Sequence, residues 1–449
     1  MAKSIRKSMS TTDVEDALVV PGHEPYPVSK NWCWVYLDAI NQFVGRSVNP
    51  LSEPHNIYEL YSVPSSENNY PEIVAGSEIG SSKQSVEKGD VLLCKINPRI
   101  NRVWIVSKYT VNTLIASSEW IVVRNSMICS KYLMWCMKSP YFREYMLSNV
   151  SGVGGSLMRA KPQLVKKYPI VLAPLAEQHR IVEKIESLFS KLDDAKEKVQ
   201  EVLDQFENRK ASILHKAFAG ELTAKWRKEN RIAEKTYSKR RFDEVAEIKS
   251  NLVDPADYQE YPHIAPDNIE KKTGVLLDYH SIAEDGVKSG KHLFYPGQIL
   301  YSKIRPNLSK IVVVNFKGLC SADMYPIEAK GDAKCLWYYM LSEEFLKQAS
   351  SAGSRSVLPK INQKELSALK VTLPTSVNEQ KEVSKILDAL IEKELQSKQI
   401  AESLLDQIDM IKKSILAQAF RGELGTNDPN DESAKELLKK IMTGVINEN

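Results

Sequence analysis

The sequence predicts an α+β protein: two α/β domains in a pseudo-two-fold arrangement, separated by two long antiparallel coiled-coil helices. Three observations lead to this prediction. They are a gap-free internal repeat, a 3.5-residue spacing of apolar residues within the repeated segments, and a second repeat of strand-forming sequence upstream of each. At 449 residues the chain is too long for one ordinary hydrophobic core, so more than one domain is expected.

The repeat is clearest in two long charged segments. EQHRIVEKIESLFSKLDDAKEKVQEVLDQFENRKASILHKAFAGEL begins at Glu177 and EQKEVSKILDALIEKELQSKQIAESLLDQIDMIKKSILAQAFRGEL begins at Glu379, at a constant offset of 202. Between Lys210–Leu222 and Lys412–Leu424, nine of thirteen positions are identical. This identity indicates an internal duplication.

A second repeat lies upstream of each charged segment. KGDVLLCKINPRINRVWIVS from Lys88 matches PGQILYSKIRPNLSKIVVVN from Pro296 at an offset of 208. Each is typical of a strand, a basic turn and a second strand. The sequence therefore divides into a polar, loosely ordered tail (1–27), a first globular domain (28–175), a helical region (176–235), a second globular domain (236–374), a second helical region (375–424) and a C-terminal tail with a short helix (425–449).

The helical regions carry apolar residues in the alternating four- and three-residue spacing of a coiled coil. Each ends at a glycine, Gly220 or Gly422, a residue that favours the left-handed C-cap. Helices of about 40 residues would be roughly 60 Å long and would set the separation of the two globular domains. A homodimeric zipper or a single surface helix is the alternative to pairing within the chain. The residues expected to pack between helices are Ile181, Ile185, Leu188, Leu192, Val199, Phe206, Ile213, Val383, Leu387, Leu390, Leu404, Ile408 and Ile415.

Composition restricts the class of protein. A hydrophobic content of 43% and a charged content of 26% are typical of globular proteins, and no apolar run approaches the length of a membrane span. The N-terminus has no apolar signal-peptide region, so we expect a cytoplasmic protein with no membrane partner. The six cysteines have no zinc-type spacing and are expected to be reduced thiols. The net charge of +4 is only a weak indication of a polyanionic partner.

Motifs for catalysis are missing from the sequence. It contains no Pro-Pro dipeptide, as an amino-methyltransferase motif would require, and no G-x-x-x-x-G-K-[ST] phosphate loop. The glycine-rich stretch Ser151–Gly155 does not stand between a strand and a helix, so we interpret it as a loop and not as a cofactor site. We therefore expect no catalytic residue, metal or cofactor on this chain.

The two basic turns are the strongest candidates for DNA contact. Lysine and arginine bind phosphates, and asparagine and arginine have the shape to bind base edges. The alternative is a solvated turn whose lysines keep a sheet edge soluble. The candidates are Lys95, Asn97, Arg99, Asn101 and Arg102 in the first turn, Lys303, Arg305, Asn307 and Lys310 in the second, and Arg159, Lys161, Arg355 and Lys360 in the loops that precede the helical regions.

These elements, in this order and in both halves, resemble the specificity subunits of Type I restriction-modification systems. The resemblance is carried by the opening PVSKNWCWVYLDAI, the element GD-x-L-x-x-K-I-x-P, the AP or LP followed by EQ before a long helix, and the closing AFxGEL. The second half departs from the pattern, because its opening RRFDEVAEI lacks the tryptophan.

The resemblance implies two target recognition domains, each reading one half of an asymmetric bipartite site in double-stranded DNA. It implies that the helices dock two modification (methyltransferase) subunits and that restriction (translocase/nuclease) subunits join them. S-adenosylmethionine, ATP and magnesium would belong to those partners and not to this chain. A coiled-coil adaptor that binds no DNA, and a standalone methyltransferase or nuclease with an unrecognised motif, are the alternatives.

Overall fold

The computed structural model describes residues 11–148, 150–151, 158–232, 236–352 and 359–444. The chain divides into two compact units: unit 1 comprises Met1–Lys198 and Leu404–Asn449, and unit 2 comprises Val199–Ser403. Each unit thus combines one predicted globular domain with parts of both predicted helical regions.

The first half of the described chain, up to residue 232, has eight α-helices and twelve strands. The helices are α1 Thr11–Ala17, α2 Leu37–Ile40, α3 Ser130–Lys138, α4 Pro140–Ser148, α5 Pro162–Val165, α6 Leu175–Asp204, α7 Phe206–Phe218 and α8 Ala224–Glu229. The strands are β1 Cys33–Tyr36, β2 Ser47–Val48, β3 Ile57–Tyr61, β4 Glu72–Ala75, β5 Lys83–Ser85, β6 Val91–Cys94, β7 Val103–Ile105, β8 Thr113–Ala116, β9 Trp120–Val123, β10 Val150–Ser151, β11 Arg159–Ala160 and β12 Pro169–Leu172.

The second half, from residue 236, has six α-helices and ten strands within its described ranges. The helices are α9 Phe242–Val245, α10 Ala333–Met340, α11 Glu343–Ala352, α12 Gln363–Ala368, α13 Val377–Arg421 and α14 Ala434–Thr443. The strands are β13 Tyr237–Arg241, β14 Ala246–Ile248, β15 Leu252–Val253, β16 His263–Ile264, β17 Lys291–Phe294, β18 Ile299–Ser302, β19 Ile311–Val313, β20 Gly318–Cys320, β21 Met324–Ala329 and β22 Lys370–Pro374.

The sheets of the two units share a common set of strands in the same order, and each unit adds one strand, β4 in unit 1 and β14 in unit 2. In unit 1 the order is β7-β6-β9 in one sheet and β2-β5-β8-β3-β4 in another, with β3 and β8 parallel. In unit 2 the corresponding orders are β14-β21-β18-β19 and β15-β17-β20-β16, with β16 and β20 parallel. A two-stranded ladder, β1-β12 or β13-β22, joins the two ends of each globular domain. The duplication read from the sequence is therefore a duplication of topology.

The central strands explain how each core is filled. Strand β6 reads VLLC and strand β18 reads ILYS, and every residue of both is buried. Because both faces of these strands are covered, they read as short continuous apolar runs and do not alternate with polar residues. The basic turns begin where these buried strands end, so each turn is positioned by the core of its own domain.

The long helices pair in the antiparallel sense within each unit. In unit 1 the Lys196 ammonium lies 3.2 Å from the Asp409 carboxylate, and Lys412 pairs with Asp193. In unit 2 the Arg209 guanidinium donates to Glu394 at 2.8 Å. Rising residue numbers on α6 and α7 meet falling numbers on α13, as antiparallel helices require. The predicted long helices are present, although the first is interrupted at Gln205 between α6 and α7.

Most residues predicted to lie between the helices are buried or half-buried, but Leu404 is 40% exposed, and that prediction is wrong. On α13 the half-buried position before the buried Ala401 is taken by Lys398, whose Nζ lies 5.1 Å from the centre of the Phe206 ring. The interface then continues through Leu405 and Ile408. Those found buried or half-buried are Ile181, Ile185, Leu188, Leu192, Val199, Phe206, Ile213, Val383, Leu387, Leu390, Ile408 and Ile415.

The expectation of a loosely ordered tail over residues 1–27 is wrong for its described part. Helix α1 is followed by Leu18 and Val19, which extend the edge of β1: the Val19 N–H donates to the Trp34 carbonyl at 3.0 Å. The apolar run ALVV supplies the reason, because Ala17 and Val19 are buried in the core of unit 1. Helix α14 lies where a short C-terminal helix was predicted. No described helix has both the length and the apolar character needed to span a membrane.

Candidate nucleic-acid interface

The first basic turn joins β6 to β7 in unit 1. The Lys95 ammonium donates to the Ser118 carbonyl at 2.7 Å and lies 3.8 Å from the Glu119 carboxylate. Asn97 adopts a left-handed backbone conformation with φ of 43°, which a short polar residue tolerates. Its N–H donates to the Met158 carbonyl at 2.8 Å, so the turn is fixed to the segment that leads into β11.

The remaining candidates of this turn differ in how far the protein already uses them. Arg99 is exposed, and its guanidinium has no hydrogen-bond or ion-pair partner among the described residues. The Asn101 amide donates to the Lys138 carbonyl at 3.2 Å, and the Arg102 guanidinium lies 3.2 Å from the Glu67 carboxylate. Arg99 is therefore the residue of this turn most available to DNA.

Strand β11 brings two further candidates to the same place. The Ala160 N–H donates to the Lys95 carbonyl at 2.9 Å, which aligns the two segments side by side. The Arg159 guanidinium then lies 3.4 Å from Glu119, the carboxylate that Lys95 also approaches. Lys161 is exposed at the start of α5. Lys95 and Arg159, distant in sequence, thus form one cationic cluster around Glu119.

The second basic turn, between β18 and β19 in unit 2, repeats this arrangement. Arg305 stands where the first turn has Asn97, is also left-handed with φ of 48°, and its N–H donates to the Pro359 carbonyl at 2.7 Å. The Lys303 ammonium lies over the ring of Tyr325, 5.3 Å from its centre. Burial lowers the pKa of Lys303, and the positive charge of Lys360 lowers it further. The Lys303 ammonium is therefore confined beside a second cation.

The other candidates of the second turn are less uniform. Asn307 is exposed, and no hydrogen bond of its side chain to another described residue is found. The Lys310 ammonium is largely occupied by the fold, because it donates to the Pro266 carbonyl at 2.7 Å and lies 3.2 Å from Asp267. The Lys360 ammonium lies 2.9 Å from Asp323. Arg355 lies outside the described residues.

Sequence reasoning missed the two carboxylates at the centres of these clusters. Glu119 follows Ser117 in a turn whose Glu119 N–H donates to the serine hydroxyl at 3.2 Å; Asp323 follows Ser321 in the same turn with the same 3.2 Å bond. The signal in the sequence was the pair S-x-E and S-x-D, each directly before a buried strand. These two motifs are 204 residues apart, whereas the basic turns are 208 residues apart, so an alignment of the two halves that matches the turns needs a gap to match the motifs.

The EQ dipeptide at the start of each long helix builds a second repeated site. Glu177 is fully buried and accepts hydrogen bonds from the Trp32 indole N–H at 2.6 Å, the Asn427 amide at 2.9 Å and the Thr426 hydroxyl at 3.2 Å. Glu379 is equally buried. The glutamate of the first repeat thus binds residues that follow AFRGEL of the second repeat.

The Glu379 site in unit 2 is the counterpart. Glu379 accepts from the Thr223 hydroxyl and from the Arg227 guanidinium, both at 2.8 Å. Thr223 directly follows AFAGEL of the first repeat. Each glutamate therefore accepts hydrogen bonds from residues that follow the AFxGEL of the other repeat, which explains why EQ and AFxGEL recur together.

The glutamine of each EQ dipeptide fastens the helix to its own globular domain. The Gln178 amide donates to the Ala173 carbonyl at 2.9 Å and accepts from the Cys129 N–H at 3.0 Å. The Gln380 amide donates to the Pro374 carbonyl and accepts from the Asp332 N–H, both at 2.8 Å. These bonds join the start of each helix to backbone groups of its domain, and side chains of the domain add further contacts, such as the Tyr338 hydroxyl that donates to Asp388 at 2.7 Å.

The glycines that end the helical repeats have the predicted left-handed conformation. Gly220 has φ of 81° and Gly422 has φ of 76°. Space is also restricted there: a Cβ on Gly422 would lie 2.7 Å from the Ser29 hydroxyl, and one on Gly220 would lie 3.1 Å from the ring of Tyr237. Glycine is required at both positions by conformation and by close approach.

The described residues include no group of three or more histidine, cysteine, aspartate or glutamate side chains placed to hold a metal ion. What the described residues do hold is a pair of cationic turns, each on an α/β domain that is fastened to antiparallel helices. This arrangement defines the class of protein: a duplicated scaffold for recognising a polyanion at two places.

Comparison with known proteins identifies the family. The family model described as Type I restriction modification DNA specificity domain matches residues 234–405. The chain is 34% identical over 370 residues to the Type I restriction enzyme EcoDI specificity subunit of Escherichia coli, which covers 76% of this chain and 82% of that protein. It is 30% identical over 158 residues to the EcoKI specificity subunit of Escherichia coli strain K12, covering 34% of each. The chain belongs to the specificity subunits of type I restriction enzymes.

Solved structures share the fold. A chain from a study of complex assembly and conformational transition of the type I R-M system has a TM-score of 0.72 at 19% identity, covering 89% of this chain and 100% of that chain. The HsdS subunit from Thermoanaerobacter tengcongensis has a TM-score of 0.60 at 18% identity, covering 89% and 99%. By its family, this chain is a non-catalytic subunit that recognises DNA together with methyltransferase and restriction subunits.

Proposed function

We propose that the chain recognises an asymmetric, bipartite sequence in double-stranded DNA, with one half read by the recognition domain of each unit. The observation that supports this most directly is the repeated turn. Lys95 and Lys303 are the same residue at the same point of the turn, whereas Asn97 is replaced by Arg305. A phosphate contact suits a residue that recurs, and a base contact suits one that differs, because asparagine matches adenine and arginine matches guanine.

The long helices are the proposed docking surface for two modification (methyltransferase) subunits, to which restriction (translocase/nuclease) subunits are added. Support comes from apolar side chains that helix pairing leaves uncovered. Leu404 is 40% exposed and Ile411 is 46% exposed, and a spacing of seven residues puts them on the same side of α13. Apolar side chains exposed together on one surface are characteristic of a protein interface.

The chemistry of modification and cleavage is assigned to those partners. S-adenosylmethionine would be bound by the modification subunits, which methylate adenine N6, and ATP and magnesium by the restriction subunits. This chain would supply the position of the DNA relative to the methyltransferase. The complete enzyme would act in the cytoplasm, where its DNA target lies.

Methylation mapping tests this function. The chain is expressed with its modification subunits in cells that lack other methyltransferases, and the methylated motif is read by sequencing the DNA. Residues 236–374 are then replaced by the second recognition domain of a relative. We expect one half of the motif to change and the other to stay, whereas a change in both halves would contradict independent reading.

A binding experiment separates this function from that of a coiled-coil adaptor. The chain in complex with its modification subunits is titrated onto duplex DNA at rising salt concentration. Affinity should fall steeply with salt, because each phosphate contact releases counterions. Failure to bind at any salt concentration would favour the adaptor.

A further inference from the structure

The two carboxylates at the basic turns are built into equivalent sites. The Lys95 N–H donates to the Glu119 carbonyl at 3.1 Å, and the Lys303 N–H donates to the Asp323 carbonyl at 2.9 Å. The backbone bond from Ala160 to Lys95 likewise has its counterpart in the bond from Ile361 to Lys303, at 2.9 Å. These backbone hydrogen bonds thus place each turn beside the residue that carries the carboxylate and beside the segment that carries Arg159 or Lys360.

Each carboxylate lies beside one or two cations that the sequence predicts to contact DNA. Glu119 lies 3.8 Å from the Lys95 ammonium and 3.4 Å from the Arg159 guanidinium. Asp323 lies 2.9 Å from the Lys360 ammonium. An anionic carboxylate oxygen pairs with these cations as an anionic phosphate oxygen would. It therefore competes with the DNA backbone for them.

The pairs are arranged so that a phosphate can replace the carboxylate. Lys360 and Asp323 are 48% and 45% exposed, and ion pairs at this exposure contribute little to stability. One carboxylate also leaves a surplus of positive charge at each turn. In unit 2 burial lowers the pKa of the nearby Lys291, and the negative charge of Asp323 opposes that shift, which places a further cation within range of the same carboxylate.

Base reading is a poorer explanation for these carboxylates. One Glu119 oxygen is buried and lacks a hydrogen-bond partner among the described residues, although the Lys95 ammonium lies nearby. The other Glu119 oxygen is paired with the Arg159 guanidinium at 3.4 Å, so the carboxylate is already engaged by cations of its own domain. A carboxylate at the same point of both domains also does not suit an asymmetric site, in which the two halves present different bases.

We propose that Glu119 and Asp323 are internal competitors for DNA phosphate, one in each recognition domain, which weaken backbone binding at every sequence. The inference rests on the proposed function, since it presumes that the two turns contact DNA. Each carboxylate holds its cations in place in the absence of DNA. Because a phosphate must displace the carboxylate, binding to unrelated DNA is weaker than it would be without it. The carboxylates are thus positioning residues that set affinity and do not select sequence.

The test measures salt dependence with the full chain in complex with its modification subunits. The dissociation constant is measured between about 50 and 200 mM salt for a duplex that carries the methylated motif and for one of equal length with the motif scrambled. Glu119→Gln and Asp323→Asn should each raise affinity for both duplexes by the same factor. Each freed cation that gains a phosphate should steepen the logarithmic salt slope by about 0.9, and the double variant should steepen it by about 1.8.

Matched controls remove a carboxylate at the other end of the same sheets. Glu87 precedes β6 and pairs with Arg124 at 2.6 Å, and Glu328 lies near the end of β21 and pairs with Lys249 at 3.2 Å. Glu87→Gln and Glu328→Gln change the net charge equally and should leave the slope unchanged. Adding Arg159→Ala to Glu119→Gln should return the slope to the parent value, because one cation is lost for the carboxylate removed.

The other outcomes overturn the inference in distinguishable ways. Lower affinity for the motif duplex alone would make the carboxylates base readers, and lower affinity for both duplexes would make them structural supports of the turns. An unchanged slope in a complex whose parent form binds DNA would refute the competition alone. A parent complex that binds neither duplex at any salt concentration would refute the proposed function instead.

Discussion

Removing the charge of the buried glutamate should affect the two units unequally, although the glutamates are equivalent in the repeat. Glu379 receives a hydrogen bond from the guanidinium of Arg227, whose side chain is only 11% exposed. The hydrogen-bond donors to Glu177 are neutral: an indole, an amide and a hydroxyl group. Glu379→Gln therefore leaves a buried cation without its counter-charge, and Glu177→Gln does not.

The magnitudes follow from this difference. A buried charge left without its partner costs about 3–5 kcal/mol. Exchanging a charged acceptor for a neutral one among neutral donors costs about 1 kcal/mol for the hydrogen bonds that weaken. A loss of 1 kcal/mol shifts the melting temperature of a domain of 150–250 residues by about 2–4 °C. Glu379→Gln should therefore lower the melting temperature of unit 2 by about 10 °C. Glu177→Gln should lower the melting temperature of unit 1 by about 3 °C.

Differential scanning calorimetry of the full chain, combined with a double-mutant cycle, checks the reasoning. Arg227→Met removes the cation while keeping its alkyl stem, so Glu379→Gln should cost much less in that background. The expected coupling energy is about 2 kcal/mol or more. Equal melting shifts for the two glutamate variants, or strict additivity of Arg227→Met and Glu379→Gln, would show that the buried charge is not the cause.

Three further outcomes can be measured on the same chain. Gly422→Ala should lower stability by about 1 kcal/mol or more, because of its left-handed φ and the Ser29 hydroxyl, and Ser29→Ala should recover only the steric part in thermal melts. Burial raises the pKa of Glu59, but hydrogen bonds from two hydroxyl and two N–H groups outweigh this, so its pKa is lowered overall. The ionised Glu59 therefore stabilises the fold above about pH 4.3, and this stabilisation is lost as pH falls through its lowered pKa. Glu59→Gln should make the free energy of unfolding, measured with urea at a series of pH values, fall less steeply at acid pH. Leu404→Glu should abolish co-purification with the modification subunits without lowering the melting temperature, whereas Gln399→Glu, about 140° away around α13, should not.

The architecture could be predicted because the duplication left the long helices without insertions. A constant offset made the two segments comparable residue by residue, and the apolar spacing then indicated helices that pair. The turns were found in the same way, since Pro98 and Pro306 punctuate both at one offset. Local pattern was sufficient wherever it was repeated without a gap.

The register of the helix pair could not be read from apolar residues alone. Leu404 and Leu405 are neighbours of equal hydrophobicity, and only one of them can face the partner helix. Lys196 and Lys398 stand at half-buried positions of the interface, and the Lys398 ammonium lies over the ring of Phe206. A sequence analysis that treats lysine only as a polar residue assigns Leu404, and not Leu405, to the interface.

The carboxylates at the basic turns were hidden for a different reason. Glu119 is remote from Lys95 in sequence and reaches it only because β9 pairs with β6, Trp120 opposite Cys94. Strand pairing between non-adjacent segments is not encoded in the spacing of residues along one strand. Such clusters require the sheet topology before they can be recognised.

The topology also indicates where a recognition domain can be exchanged. Strands β13 and β22 pair with Tyr237 opposite Pro374, so a segment from 236 to 374 enters and leaves the fold through one ladder. Thr223 and Glu379 lie outside it, and Gln380 binds the segment through the Pro374 carbonyl and the Asp332 N–H, a backbone group that any residue other than proline supplies. Two residues of the segment pack closely against residues outside it. A Cβ on Gly331 would lie 2.2 Å from the Gln380 Oε1, and the Tyr237 ring lies 3.1 Å from the position that a Cβ on Gly220 would take. An exchange that keeps Gly331 and Tyr237 should therefore lose less stability than one that replaces them, whatever its effect on DNA recognition.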